Sequence, residues 1–169
     1  LMHRLADSGA KAVITDRSGM AKLAPLRAAL PDLRILLCVD EPDGPQSYCS
    51  AIERSSAEFK PVETRADDPA LLIYTSGTTG NPKGVVYHHR GAYLTAMNMA
   101  LSWDMPKFPT FMTVVPMFHC NGWCFPWTTA LLAGTNVFIR HLRPEIMLQL
   151  IKQEKVTHFG GAPIVLNMI

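Results

Sequence analysis

Short apolar runs alternate along this chain with longer segments of helical composition. The runs, bounded by turn residues, predict strands at 12–15, 35–39, 70–74, 85–87, 111–115, 136–139 and 157–159. The longer segments predict helices at 1–8, 20–30, 47–57, 92–103, 122–133 and 144–154, with another that starts at Pro163. Strands separated by helices favour an α/β fold with a doubly wound, mainly parallel sheet flanked by helices. The polar connector at 59–69 contains a weak boundary near 61–69, and we expect one domain over 1–169.

The segment after the third predicted strand is rich in groups that bind phosphate. The run at 70–74 predicts a buried parallel strand, and residues 74–84 are Tyr-Thr-Ser-Gly-Thr-Thr-Gly-Asn-Pro-Lys-Gly. Glycines let backbone amides approach an anion closely, hydroxyls donate hydrogen bonds, and Lys83 adds a positive charge. Because open α/β sheets bind nucleotides at the carboxyl ends of their strands, this segment predicts a site for nucleotide phosphates.

Two common phosphate-binding motifs do not fit this segment. A Walker A loop needs Gly-Lys-Ser/Thr directly before a helix, whereas Pro82 precedes Lys83 here and Gly84 follows it. The next predicted element, at 85–87, is a strand rather than a helix. The Gly-x-Gly-x-x-Gly fingerprint of dinucleotide-binding folds does not occur at 74–84 either. The pattern therefore argues against a kinase, a GTPase and a dinucleotide-binding protein.

Segment 74–84 resembles the phosphate loop of the adenylate-forming (AMP-binding) superfamily, which includes acyl-CoA synthetases, luciferases and the adenylation domains of peptide synthetases. That loop has the form Tyr-Thr-Ser-Gly-Thr-Thr-Gly-x-Pro-Lys-Gly, and every fixed position is met. The sequence Pro-Met-Phe-His-Cys-Asn-Gly-Trp at 116–123 resembles the next motif of the family, in the form used by enzymes that activate fatty acids. The resemblance covers essentially the whole chain and is closest to the fatty-acyl-CoA synthetases.

The resemblance implies roles for residues in both motifs. The nucleotide-binding residues would be Thr75, Ser76, Gly77, Thr78, Thr79, Gly80 and Lys83, and the Thr75 hydroxyl would also lie near Mg²⁺. His119 would lie beside the acyl-adenylate, and Trp123 would gate an acyl tunnel lined by the small residues at 160–163. Taken alone, a single histidine or an aromatic beside a strand end is more simply explained as part of the fold.

The resemblance also implies a reaction. A carboxylic acid would attack ATP to give an acyl-adenylate and pyrophosphate, and coenzyme A would then displace AMP, with Mg²⁺ as the metal. A medium- or long-chain fatty acid is the first expectation, and an aryl or short sulfur-containing acid is the alternative. The family's later acidic motif, its ribose-binding Asp and the catalytic Lys of its C-terminal lid do not occur after His119, so no catalytic residue is assigned. We expect a fragment of the large N-terminal domain, without the lid and inactive alone.

Composition further limits which kinds of binding partner we expect. The net charge is +2 with neutral histidines, and Lys and Arg are scattered rather than grouped in a stripe that would bind nucleic acid. No apolar run is long enough to span a bilayer, and the four cysteines are typical of thiols in a cytoplasmic protein. Their spacing matches no zinc finger or ribbon. The charged fraction of 18% indicates a surface that is partly covered, by further chain or by a second subunit in a homodimer.

Other functions remain open from the sequence alone. A non-catalytic module that senses ATP or AMP would carry the same phosphate-binding segment. So would a luciferase-like enzyme or a peptide-synthetase adenylation domain, and Lys83 cannot separate these from a CoA ligase. A purely structural α/β layer is the least specific alternative. The motif at 116–123 favours an acyl-CoA synthetase among them.

Overall fold

The computed structural model describes residues 1–76 and 80–169, without the side chains of Cys120, Asn121 and Trp123. The described chain forms two compact units. The first consists of Leu1–Thr64 and Leu72–Val85, and the second consists of Arg65–Leu71 and Val86–Ile169. The first break, after Thr64, falls within the connector that the sequence marks as a weak boundary.

The first unit is built around a pair of parallel strands. Its elements are α1 (Met2–Asp7), β1 (Ala12–Thr15), α2 (Arg17–Leu23), a 3-10 turn (Ala24–Ala29), β2 (Ile35–Cys38) and α3 (Tyr48–Glu53). β1 and β2 pair in parallel with Ala12 opposite Ile35. The buried apolar side chains of this unit are Leu23, Leu30, Leu33 and Cys38. A parallel pair with a helix between its strands is the arrangement that the alternating pattern predicts.

Helix α2 begins earlier and ends earlier than the predicted helix at 20–30. The Asp16 side chain accepts a hydrogen bond of 2.7 Å from the Gly19 amide, so the helix begins at Arg17. This carboxylate caps an amide that has no partner within the helix. Pro25 has no amide hydrogen to donate, and the chain changes to a 3-10 turn at Ala24.

The strands on either side of the phosphate segment pair with each other. β3 (Pro69–Thr75) and β4 (Lys83–His88) form a two-stranded sheet, and each contributes residues to both units. The prediction of a strand at 85–87 is confirmed. The prediction that 70–74 is buried is wrong for this chain, because Leu72 is 37% exposed and β3 alternates between exposed and half-buried residues. A two-stranded sheet cannot bury both of its faces by itself.

The second unit contains a three-stranded parallel sheet. Its further elements are α4 (His89–Ser102), β5 (Thr110–Thr113), α5 (Cys120–Leu131), β6 (Thr135–Phe138), α6 (Pro144–Gln153), β7 (His158–Phe159) and α7 (Pro163–Leu166). The strand order is β6-β5-β7, with Thr110 opposite Thr135 and Phe111 opposite His158. The predicted α/β class with mainly parallel strands and flanking helices is confirmed, although the described strands fall into three small sheets.

Helix α4 begins three residues before the predicted start at residue 92. The His88 ring accepts a hydrogen bond of 2.9 Å from the Gly91 amide through its Nδ1. The amides of His89 and Arg90 donate to the carbonyls of Asp68 and Ala66. These bonds satisfy amides that the first turn of a helix leaves without a partner. His88 therefore acts as a helix cap.

The core of the second unit lies on both faces of its sheet. Successive residues of a strand point to opposite faces, so Phe111 and Met112 on β5 enter different clusters. Met112 packs with Val114, Val137, Met147 and Val165. Phe111 packs with Met105 and Phe125, which brings α5 against the other face.

Candidate functional site

The described part of the phosphate segment is exposed to solvent. Thr75 ends β3, Ser76 and Gly80 follow it, and Lys83 begins β4; all four are exposed. Gly80 has a φ of +149°, which favours glycine. The predicted binding residues Gly77, Thr78 and Thr79 lie outside the described residues. The hydroxyl groups and the lysine that the structure describes are therefore accessible to a ligand.

Helix α1 contacts this segment at two residues, Tyr74 and Pro82. The Tyr74 hydroxyl donates a hydrogen bond of 2.6 Å to the Asp7 carboxylate, directly before Thr75. His3 Nε2 lies 3.0 Å from the Pro82 carbonyl oxygen, directly before Lys83. Since a carbonyl only accepts, this histidine nitrogen is the donor. The hydrogen bond to Asp7 raises the pKa of Tyr74 above its ordinary value, because the carboxylate favours the protonated phenol.

A tight turn positions His119 after β5. The His119 amide donates to the Pro116 carbonyl at 2.9 Å, and the His119 carbonyl accepts from the Gly122 amide at 2.8 Å. A Cβ on Gly122 would lie 2.3 Å from the Pro116 oxygen, so only glycine lets α5 approach this turn so closely. Trp123 lies in α5, and its side chain lies outside the described residues.

His119 lines a cavity of about 940 Å³ in the second unit. The wall includes the residues at 160–163, the segment that the sequence assigns to the acyl tunnel, together with Met99, Trp103 and Phe125. Most of the lining is apolar, and apolar concave sites with few polar groups are typical of small-molecule sites. The structure therefore brings His119 and 160–163 to one cavity, and their role in acid binding remains a prediction.

Three aromatic rings form one side of this cavity and its support. Phe125 stacks on Phe111 with ring centroids 4.4 Å apart, and Trp103 meets Phe125 edge-on at 4.6 Å. A Cβ on Gly160 would lie 3.1 Å from Cη2 of Trp103. The absence of a side chain at Gly160 therefore determines how much space remains beside the Trp103 ring. Sequence patterns alone do not indicate Trp103, since an aromatic near a helix end is usually part of the core.

The described part of the chain contains neither a metal-binding cluster nor a helix that could span a membrane. Among the side chains that the structure describes, which leave out Cys120, no three His, Cys, Asp or Glu residues are grouped so that they could hold a metal ion. Thr75, the residue assigned to Mg²⁺ by resemblance, has an exposed side chain. Among the described helices, none is both long and apolar enough to cross a bilayer.

The fold and the phosphate segment together define a class of protein. The chain matches the family of AMP-binding enzymes over residues 1–169 and belongs to that family. It is 40% identical over 158 residues to the 2-methylpropanoate–CoA ligase CCL4 of Humulus lupulus, covering 87% of this chain and 28% of that protein. It is also 40% identical over 147 residues to the acetate/butyrate–CoA ligase AAE7 of Arabidopsis thaliana, described as peroxisomal, covering 80% of this chain and 26% of that protein.

Solved structures of similar proteins agree with this assignment. ATP-bound MatB from Rhodopseudomonas palustris has a TM-score of 0.81 at 25% identity, covering 98% of this chain and 32% of that one. The O-succinylbenzoate coenzyme A synthetase MenE of Bacillus subtilis, in complex with ATP and magnesium, has a TM-score of 0.76 at 25% identity, with coverage of 98% and 32%. The chain thus spans about a quarter to a third of the length of these relatives.

Proposed function

We propose that the whole protein to which these 169 residues belong is an AMP-forming acid–thiol ligase. It would join a carboxylic acid to coenzyme A with ATP as the energy source. The observation that carries this proposal is the exposed set of Thr75, Ser76 and Lys83 at the junction of β3 and β4. Family membership and relatives named as CoA ligases support it.

The proposed reaction has two steps. A carboxylate oxygen of the acid bonds to the α-phosphorus of ATP, and the bond from that phosphorus to the bridging oxygen breaks, so pyrophosphate leaves. The thiol sulfur of coenzyme A then bonds to the acyl carbon, the bond from that carbon to the AMP oxygen breaks so that AMP leaves, and the thiol proton passes to water. The first step needs no general base, because the carboxylate is already a nucleophile at neutral pH. The protein must instead position the reactants and neutralise charge on the phosphates.

The phosphate segment has the groups that this task needs. Lys83 would place a positive charge beside the β- and γ-phosphates, and Ser76 would donate a hydrogen bond to them. Gly77, Thr78, Thr79 and Gly80 complete the proposed set on the strength of the sequence. Thr75 could supply one oxygen to Mg²⁺, which fits an ion that keeps phosphate oxygens and waters as its other ligands. When bound, Mg²⁺ would offset negative charge on the departing pyrophosphate.

The cavity beside His119 is the proposed site of the acid. Its apolar wall suits an aliphatic or aryl chain, and His119 is its candidate polar group near the acyl-adenylate. The side chain of Trp123 would gate this site by resemblance. The names of two relatives favour short acids such as 2-methylpropanoate, acetate or butyrate. A short or medium aliphatic acid is therefore our proposal, and it overlaps the medium- or long-chain fatty acid expected from the sequence only at medium chain length.

Location and assembly are proposed separately from the reaction. The cysteine content suggests the cytoplasm, whereas AAE7 is described as peroxisomal. Imaging of the tagged whole protein with markers for both compartments decides between them. Size-exclusion chromatography with light scattering tests the predicted homodimer.

Acid-dependent exchange of labelled pyrophosphate into ATP tests the proposed function. We expect the whole protein to catalyse this exchange with a series of aliphatic acids and to form acyl-CoA when coenzyme A is added. Lys83→Ala should lower kcat/KM for ATP by about 100-fold, because the variant loses one charge-assisted contact and the transition-state stabilisation that it supplies. Lys22→Ala is the matched control, since Lys22 is an exposed lysine on α2 of the same unit.

The outcomes separate the alternatives. ATP binding without exchange for any acid would favour a nucleotide-sensing module. Transfer of the acid to a carrier protein, or light emission, in place of acyl-CoA would indicate a peptide-synthetase or luciferase-like branch. Unchanged ATP affinity and turnover in Lys83→Ala would refute the phosphate-binding role of the segment.

A further inference from the structure

Two side chains of α1 hold the two ends of the phosphate segment. His3 and Asp7 are four residues apart, so they lie on the same face of the helix. Asp7 accepts the hydrogen bond from Tyr74, the residue before Thr75. His3 donates to the carbonyl of Pro82, the residue before Lys83. The His3 and Tyr74 rings also contact edge to face, with centroids 6.3 Å apart.

We infer that α1 is a clamp that fixes the ends of the phosphate segment before nucleotide binds, with His3 and Asp7 as positioning residues. This inference rests on the proposed function of the segment. Neither side chain needs to touch the nucleotide. Both would act through Tyr74 and Pro82 on the placement of Thr75, Ser76 and Lys83.

The physical reason is the cost of ordering the groups that would bind the phosphates, since Thr75, Ser76 and Lys83 are exposed. Glycine loses more backbone freedom on ordering than any other residue, and Gly80 and Gly84 lie close to Lys83 along the chain. If both ends are already fixed, less of that entropy is lost when a phosphate binds, so the affinity rises. A hydrogen bond to an ionised acceptor such as Asp7 is stronger than a neutral one, which suits it to this task.

The close packing of β3 on β4 supports the same placement. A Cβ on Gly84 would meet Cδ1 of Leu72 at 3.0 Å and the Tyr74 ring at 3.4 Å. The Tyr74 ring therefore occupies the space where a side chain at residue 84 would lie, while its hydroxyl bonds to Asp7 on α1.

Paired substitutions in the whole protein test the clamp. Asp7→Ala and His3→Leu remove the hydrogen bonds, whereas Asp7→Asn keeps an acceptor and His3→Gln keeps a donor. We expect the removing variants to raise KM for ATP by about 3- to 10-fold, the range for one lost hydrogen bond. KM for the acid should stay within about twofold, and the conservative variants should recover most of the ATP affinity. Arg4→Ala, at an exposed position on α1, is the control.

If α1 only stabilised the fold, the substitutions would affect ATP and the acid alike. Equal changes in KM for ATP and for the acid, or no difference between the removing and conservative variants, would overturn the clamp. Tyr74→Phe removes a single oxygen and serves where a variant on α1 fails to fold. It should reproduce the effect of Asp7→Ala, and the double variant should be no worse than either single one.

Amide hydrogen exchange separates this inference from the proposed function. In the nucleotide-free protein, the clamp predicts faster exchange at Thr75, Ser76 and Lys83 in Asp7→Ala and His3→Leu. If the wild-type protein catalyses no pyrophosphate exchange, the proposed function fails, but the hydrogen-exchange result still decides on the clamp. Unchanged amide exchange in both variants would refute the clamp even in an active enzyme.

Discussion

The phosphate segment of the first unit is held by hydrogen bonds from two side chains of α1, whereas the cavity of the second unit is backed by the buried rings of Phe111 and Phe125. The Tyr74 hydroxyl donates a hydrogen bond to Asp7, and the Pro82 carbonyl accepts one from His3. The cavity depends on Phe125, which is 4% exposed and stacks on Phe111. Exposed hydrogen bonds are individually weak, and buried aromatic packing is strong. The first site is therefore adjustable at low cost, and the second is coupled to the stability of its unit.

The strongest test of this difference removes the aromatic ring at the centre of the second unit. Phe125→Ala should lower the free energy of unfolding by about 3–5 kcal/mol, because it leaves a cavity beside Phe111 and Trp103. Phe59→Ala is the matched control, since Phe59 is 81% exposed. Denaturant titration of both variants measures the effect. A loss below about 1 kcal/mol for Phe125→Ala would show that the cavity wall is not part of the core.

A substitution of one residue on the cavity wall tests whether the cavity selects the acid. Gly160→Ala places a methyl group about 3.1 Å from Trp103. We expect kcat/KM for the longest accepted acid to fall by about 10-fold, while the shortest acid stays within about twofold. Trp103→Phe makes the ring smaller and should raise kcat/KM for the longest acid relative to the shortest. The double variant should regain part of the wild-type selectivity. Steady-state kinetics over a series of acids checks this, and equal losses for all acids would contradict it.

In the first unit, a comparable substitution should cost less. Asp16→Ala removes the cap of α2 and should lower the free energy of unfolding by about 1 kcal/mol. Asp16→Asn keeps a side-chain acceptor and is the control. Denaturant titration should place the two variants in that order. If Asp16→Ala destabilised the protein as much as Phe125→Ala, the contrast between the two units would not hold.

The smallest expected effect is the alkaline titration of Tyr74. The pKa of Tyr74 is raised in the folded protein by its hydrogen bond to Asp7. This bond therefore contributes fully to the free energy of unfolding at pH values below the unfolded pKa of about 10. That contribution is lost as the pH rises through the higher folded value. Phenolate absorbance in wild-type and Tyr74→Phe protein assigns the titration. Asp7→Asn should move it to lower pH, and an unchanged titration would refute the hydrogen bond.

Several elements could be predicted because their signals are local. The apolar run at 12–15 predicts β1 at the residues where it occurs, since a short apolar run between turn residues specifies a strand without reference to the rest of the chain. The phosphate segment is a contiguous motif and needs no tertiary information. The start of α2 has a local signal, since Asp16 is a favoured N-cap residue, although the helix predicted at 20–30 does not use it. The start of α4 has no such signal, because histidine is not a usual cap.

The sequence by itself determined the α/β class, the family and the residues assigned to nucleotide phosphates. Only the tertiary structure placed Trp103 on the same cavity as His119 and Gly160, and only it paired Asp7 with Tyr74 and His3 with Pro82. The last two pairs are 67 and 79 positions apart along the chain. Periodicity and motifs report on neighbours within one element, whereas contacts between distant segments depend on how packing brings those elements together.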